Sequence, residues 1–282
     1  STEDTGNRNT AIGHNALSSL NYAGDGYNTA VGYQAGVGVT TGIHNTLLGG
    51  LAGDALTTGG ENVAIGYAAL STENAYGANV AIGYRALVVQ DAGADAFNVA
   101  VGHSAGAAIT TGVQNTLIGG LAGDSLTTGS YNVALGHGAL SAAVTANNKN
   151  VAVGYLALNL MNSATDNFNT AVGYNAGAAV TTGIGNTILG GQAGDALTTG
   201  SYNVALGYRA LTSEDAHGRN IAIGYAALET LNAGADAYNT AIGFNAGEAM
   251  TTGVQNTIIG NLSGDALTTG DNNIIIGYNA AA

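Results

Sequence analysis

The sequence predicts an all-β chain, a parallel β-solenoid or β-roll of about sixteen short rungs. Three observations carry this: a short motif that recurs every 17 to 19 residues, a period-2 alternation inside each copy, and a shortage of bulky side chains. The motif is an Asn, three residues that are mostly apolar or Thr, then Gly, usually an aromatic residue or His, and Ala three positions after the Gly. Its Asn residues are Asn9, Asn28, Asn45, Asn62, Asn79, Asn98, Asn115, Asn132, Asn150, Asn169, Asn186, Asn203, Asn220, Asn239, Asn256 and Asn273. Each is followed four places on by Gly, as in Gly32, Gly49, Gly66, Gly102, Gly173 and Gly243. A second order overlies the first, because superrepeats of four rungs begin near residues 28, 98, 169 and 239. Residues 1–282 therefore read as one continuous repeat domain, although the stretch from Ser141 to Lys149 departs most from its neighbours.

The period selects the architecture. Seventeen to nineteen residues are too few for a helix-turn-helix unit or a propeller blade but fit one solenoid rung with very short strands and Gly-containing corners. In Thr29-Ala30-Val31, Val63-Ala64-Ile65 and Ile221-Ala222-Ile223 a bulky residue alternates with Ala, so each strand has one branched and one small face. The branched face is expected to point into a narrow core, which leaves the Ala and Gly stripe free for close packing between chains. At the spacing of hydrogen-bonded strands, sixteen rungs would make a rod roughly 75 to 80 Å long. Gly and Asn every few residues argue against reading Ala68-Ala69-Leu70 and its equivalents as helices. The Thr-Thr-Gly segments, such as Thr40-Thr41-Gly42 and Thr57-Thr58-Gly59, read as corners. Gly24-Asp25-Gly26, Gly93-Ala94-Asp95, Thr165-Asp166-Asn167 and Gly234-Ala235-Asp236 fall in the long intervals and read as bulges.

Composition excludes several function classes. The chain has 46 Gly but only three Phe, two Met and no Trp, and it has no Cys, which removes thiol chemistry, disulfides and cysteine metal centres. Eighteen acidic residues against five Lys and Arg give a formal charge of -13, which repels nucleic-acid phosphates. No leader pattern opens the sequence and no apolar run of 18 residues occurs, so neither a signal peptide nor insertion into a membrane is expected within this chain.

No catalytic, cofactor-binding or metal-binding residue is expected. The repeated Asn is read as structural, an amide ladder between rungs or a clamp on turn backbone. The aromatics after the Gly, including Tyr33, Tyr67, Tyr84, Tyr155, Tyr174, Tyr208, Tyr225 and Tyr278, form a file that packs or serves as a surface for sugars or a second subunit. Asp54, Asp124, Asp195 and Asp265 recur four rungs apart, too far to share a proton or a metal, and are read as turn-capping carboxylates. A cation there would need carbonyls, Thr hydroxyls or associated chains to complete its shell. His14, His103 and His137 replace Tyr after the Gly, while His44 and His217 lie shortly before repeat Asn residues, and this scatter gives no His triad. An ice-binding Thr face is a weaker reading, because Thr, Val and Ile share the position after the Asn.

The units Asn9 to Ala16, Asn28 to Ala35, Asn62 to Ala69, Asn169 to Ala176 and Asn239 to Ala246 resemble the head repeats of YadA-like trimeric autotransporter adhesins, and still more the repeated segments of phage tail fibres and related bacterial surface fibres. The resemblance implies a β-roll, usually of three chains side by side, that projects from a virion or cell and contacts a host receptor, matrix or glycan. The expected function is a non-enzymatic fibre segment that is extracellular, on a cell surface or on a virion. A self-assembling filament or sheath, built by end-to-end stacking, is the rival expectation. A polysaccharide-degrading β-helix is disfavoured because no paired acids interrupt the repeat.

Overall fold

A computed structural model describes residues 8–142 and 148–281. The chain divides into two compact units, Ser1–Asn147 and Asn148–Ala282. The division falls inside the irregular stretch from Ser141 to Lys149, of which residues 143–147 lie outside the described residues. In the first unit the strands are β1 (Thr10–Ile12), β2 (Thr29–Val31), β3 (Thr46–Leu48), β4 (Val63–Ile65), β5 (Val80–Ile82), β6 (Val99–Val101), β7 (Thr116–Ile118) and β8 (Val133–Leu135). In the second they are β9 (Val151–Val153), β10 (Thr170–Val172), β11 (Thr187–Leu189), β12 (Val204–Leu206), β13 (Ile221–Ile223), β14 (Thr240–Ile242), β15 (Thr257–Ile259) and β16 (Ile274–Ile276). Within each unit successive strands pair in parallel and in sequence order, so each unit is a parallel β-solenoid with one strand per rung.

Register follows the motif without slippage: Thr29, Ala30 and Val31 face Thr46, Leu47 and Leu48. The repeat Asn imposes this. Its side-chain oxygen accepts the backbone N–H of the next rung's Asn, as in Asn45 N to Asn28 Oδ1 at 2.9 Å and Asn186 N to Asn169 Oδ1 at 2.9 Å. Its Nδ2 donates to a corner carbonyl of the next rung, as from Asn28 to Gly42 at 2.8 Å and from Asn169 to Gly183 at 2.8 Å. The ladder continues through Asn62 and Asn98, and Asn239 carries it in the second unit. From Asn28 to Asn256 the repeat Asn residues are buried. A buried amide can stay there because it offers both a donor and an acceptor and uses both.

The sequence expectation for the strand faces is inverted. The central residue of the strand is the buried one, with Ala30, Ala64 and Ala222 at 0% exposure, while the branched residues on either side are half-buried or exposed. The Asn is the reason. With the Asn amide inside the ladder, period-2 alternation puts the residue two places on inside as well, and the branched pair outside. The Ala stripe is therefore core and is not free to pack against another chain.

No helix forms among the described residues, as the sequence implied. Each rung instead carries non-Gly residues in the left-handed region, such as Tyr27 (φ 51°), Gln34 (φ 55°) and Leu70 (φ 51°). These break any α-helical run but aim backbone groups along the stack, as when Gln34 N donates to His14 O at 2.8 Å. Motif Gly residues go further: Gly32 has φ 140°, and a Cβ there would lie 2.5 Å from Gly49 O. No L side chain fits that position. At the corners Thr hydroxyls extend the ladder, as when Thr57 Oγ1 donates to Asn74 O at 2.9 Å and Thr181 Oγ1 to Thr198 O at 3.1 Å.

The superrepeat has its origin in core volume. In rungs where the position eight after the Asn is Leu (Leu70, Leu87, Leu211 and Leu228), the strand centre is Ala. Where that position is Gly, as at Gly36 and Gly53, Leu47 at the strand centre fills the space. Its methyls lie 2.6 and 2.8 Å from where those glycines would carry a Cβ. Leu117, Ile188 and Ile258 repeat this arrangement once per superrepeat.

Two outcomes are expected. Asn115→Ala leaves the Asn132 N–H and the Gly129 carbonyl without their partners, and lowers stability by about 3 kcal/mol; thermal melts read the loss and hydrogen exchange shows faster exchange at Asn132. Leu47→Ala opens a cavity that the flanking glycines cannot refill and costs about 3 kcal/mol or more, whereas Ala64→Leu overpacks against the Leu-rich rung and costs about 1–3 kcal/mol; a thermal melt of each variant checks both.

Candidate functional site

The surface that the fold repeats most regularly is the outer face of the strands with the aromatic residues at their ends. Tyr33, Tyr67, Tyr84, Tyr174, Tyr208 and Tyr225 are 46–56% exposed, so they are surface residues and not core. They stack along the solenoid: Tyr67 on Tyr84 at 5.7 Å and Tyr84 on His103 at 5.1 Å in the first unit, and Tyr208 on Tyr225 at 5.6 Å and Tyr225 on Phe244 at 5.1 Å in the second. The file is interrupted once per superrepeat, at Gly50, Gly120, Gly191 and Asn261. At Gly50, Gly120 and Gly191 the ring of the next rung (Tyr67, His137 and Tyr208) lies 3.4–3.6 Å from where a Cβ would be, and at Asn261 the side-chain oxygen accepts Phe244 N at 2.9 Å.

A second aromatic file was not recognised from the sequence. Its members stand just before the repeat Asn, Tyr27, Phe97 and Tyr131 in the first unit and Phe168, Tyr202 and Tyr238 in the second, all exposed, and the set is discontinuous, because other rungs place Glu61, Ala78, Gln114 or Gly185 there. Tyr27 stacks on His44 at 5.5 Å. Cations accompany this file: Arg8 lies over Tyr27, Lys149 over Phe168, and Arg219 over both Tyr202 and Tyr238. The signal was present as aromatic residues immediately before Asn28, Asn98, Asn169 and Asn239. Between the two files run the outward strand residues, among them Ile118, Val133, Leu135, Leu189, Ile221, Ile242 and Ile259, all exposed.

Three groups of acids stand out among the described residues. In the long intervals the bulged acids reach back one rung: Asp95 Oδ1 accepts Gly77 N at 3.0 Å, Asp236 Oδ1 accepts Gly218 N at 3.0 Å, Asp25 pairs with Arg8 at 2.8 Å, and Asp166 pairs with Lys149. Asp54, Asp124 and Asp195 are half-buried, and burial raises their carboxyls above the usual range. The third group, Glu73 and Glu214, is fully buried in a column where other rungs place Leu56, Leu126, Leu197 and Leu231. No hydrogen bond of ordinary geometry reaches either Glu73 oxygen, and burial, with the nearby charge of Asp91, pushes its carboxyl up to about 7. Nearby backbone amides offset this only in part. On the next rung of the same column Gln90 is also buried, and its Nε2 has no hydrogen-bond partner.

The chain matches no family model, no curated protein and no solved structure. No helix among the described residues is long and apolar enough to cross a membrane.

Between its ordinary 4.5 and about 7 the folded chain keeps a proton on Glu73 that the unfolded chain has released. The folded state then binds more protons, so stability falls as pH rises through that window and stays reduced above it. The Glu73→Gln variant loses this part of the slope. Melting temperatures of variant and parent at about pH 5 and about pH 8 check it, with the gap in favour of the variant widening at the higher pH.

Proposed function

We propose that this chain is a non-enzymatic structural segment of a surface fibre, of the kind found in phage tail fibres or bacterial adhesins, and that it supports or performs attachment to a host receptor or glycan. In this reading it works outside the cell, on a cell surface or on a virion. The observation that carries it is the outer strand face: a stripe that mixes Thr with branched apolar residues, along whose edge the aromatics after the motif Gly stack, as Tyr67 on Tyr84 in the first unit and Tyr208 on Tyr225 in the second. An enzyme concentrates its chemistry at one place, whereas this surface distributes one pattern along its length.

Self-association uses this same face. The Ala stripe is core, so chains associating side by side as a homotrimer do so through the branched residues, whose burial supplies apolar area. Aromatic rings left at the margins suit the apolar faces of sugar rings.

Light scattering coupled to size exclusion tests the association. A discrete mass of three 27.6 kDa chains is expected, and Val133→Lys with Ile221→Lys, on outward positions of the two units, returns the protein to a monomer with its β circular dichroism intact. A wild-type monomer would overturn the trimer, and a mass that climbs without limit as concentration rises would replace it with an end-to-end filament.

A further inference from the structure

Glu73 and Glu214 occupy the same position of their superrepeats, but the loops that follow them differ. The first reads Glu73-Asn74-Ala75-Tyr76-Gly77 and the second Glu214-Asp215-Ala216-His217-Gly218. Two changes, Asn to Asp and Tyr to His, turn a loop with one ligand-bearing side chain into a loop with three. In the second loop a Glu214 oxygen, an Asp215 oxygen and a ring nitrogen of His217 all lie within 4.8 Å of one another. We propose that Glu214, Asp215 and His217 form a binding site for one divalent transition-metal cation of zinc type, held within a single bend of one rung.

Three features suit a cation at this place. His217 Nδ1 is enclosed yet has no hydrogen-bond partner, and it lies 3.6 Å from Glu214 Oε1. That separation is too long for a hydrogen bond, but it is close to the edge of a tetrahedron about zinc, about 3.3 Å for bonds of 2.0–2.1 Å. Glu214 is fully buried and already oriented, because Oε1 accepts His217 N at 3.2 Å and Oε2 accepts Ala233 N at 3.4 Å. The loop is also fixed from the preceding rung. Thr198 Oγ1 donates to Asp215 O at 2.8 Å, Thr199 Oγ1 to Ala216 O at 3.2 Å, and Asn203 Nδ2 to His217 O at 3.3 Å.

The ligand set selects the cation class. One imidazole with two carboxylates suits zinc and its neighbours, whereas calcium and magnesium favour oxygen-only shells. Three protein ligands leave a fourth position for water or for a group from a second molecule. The neighbouring Arg219 is committed elsewhere, paired with Asp236 and lying between Tyr202 and Tyr238, and so does not compete for the carboxylates of the site.

The test uses the whole chain and zinc chloride, read by isothermal titration and by competition with a chromogenic chelator. One equivalent of zinc per chain is expected, undisplaced by a large excess of magnesium. The variant Asp215→Asn with His217→Tyr places there the residues that stand at 74 and 76, which the equivalent rung of the first unit accommodates, and is expected to lose that equivalent while keeping its circular dichroism. Glu214→Gln weakens binding about 10-fold or more. Absence of stoichiometric zinc binding by the parent, or an equivalent that survives in the double variant, overturns the assignment.

Discussion

The hydrogen-bonded file of repeat Asn side chains is the constraint on which the other features depend. A strand of three residues contributes few ladder bonds, and every rung holds non-Gly residues in the left-handed region at a cost of about 1 kcal/mol or more each. What offsets this is a side chain that ties three parts of the rung together. The oxygen of Asn28 receives the next Asn's backbone N–H, and its nitrogen reaches the corner carbonyl of Gly42. Asp or Leu at this place would lack the donor or both groups. Because the oxygen meets the equivalent Asn of the next rung, intervals of 17 or 19 residues are both tolerated, and the extra residues leave as bulges. Parity follows too: with Asn inside, the strand centre and the motif Gly lie on the inner side, and the branched residues cannot.

The interior so defined is narrow, and its filling is conserved across rungs more than within them. Leu47 sits against Gly36 of one rung and Gly53 of its own, while Ala64 and Ala81 accompany Leu70 and Leu87. A four-rung order results from alternating where the large side chain originates. Glu73, Gln90 and Glu214 depart from this apolar filling. Burying a carboxylate without a countercharge costs several kcal/mol, and the two acids meet that cost differently. Glu73 keeps a proton up to about 7. Glu214 has two backbone donors and His217 beside it, and a cation there would supply the missing positive charge.

On the outside, the same parity produces a surface with few charges and much repetition. Four of the five Lys and Arg pair locally with acids, Arg209 with Glu229, and Arg8, Lys149 and Arg219 each engaging both an acid and an aromatic ring. The strand face beside them mixes Thr hydroxyls with branched apolar side chains. The branched residues of such a face gain from burial against another chain, and this connects the inward placement of Asn to the proposed assembly of chains and to attachment along their margins.

Much of this was legible in the sequence. The Asn spacing determined the rungs, their parallel pairing and their register, because an in-register side-chain ladder permits only one alignment of neighbouring copies. The Gly four places later marked a backbone position closed to any side chain, and the Tyr residues after it were recognisable as a file. The direction of the strand faces was not legible. Period-2 alternation tells which residues share a face but not which face is enclosed, and bulk alone pointed the wrong way. Only the folded rung decided it, since its interior holds the Asn amides, one Ala or Leu per strand and the turn leucines, with no volume left for two branched residues more. The trio at Glu214, Asp215 and His217 was missed for a related reason. Stacking separates ligands on successive rungs, whereas the bend of one rung places these three near neighbours in sequence with one candidate ligand atom each within 4.8 Å of one another.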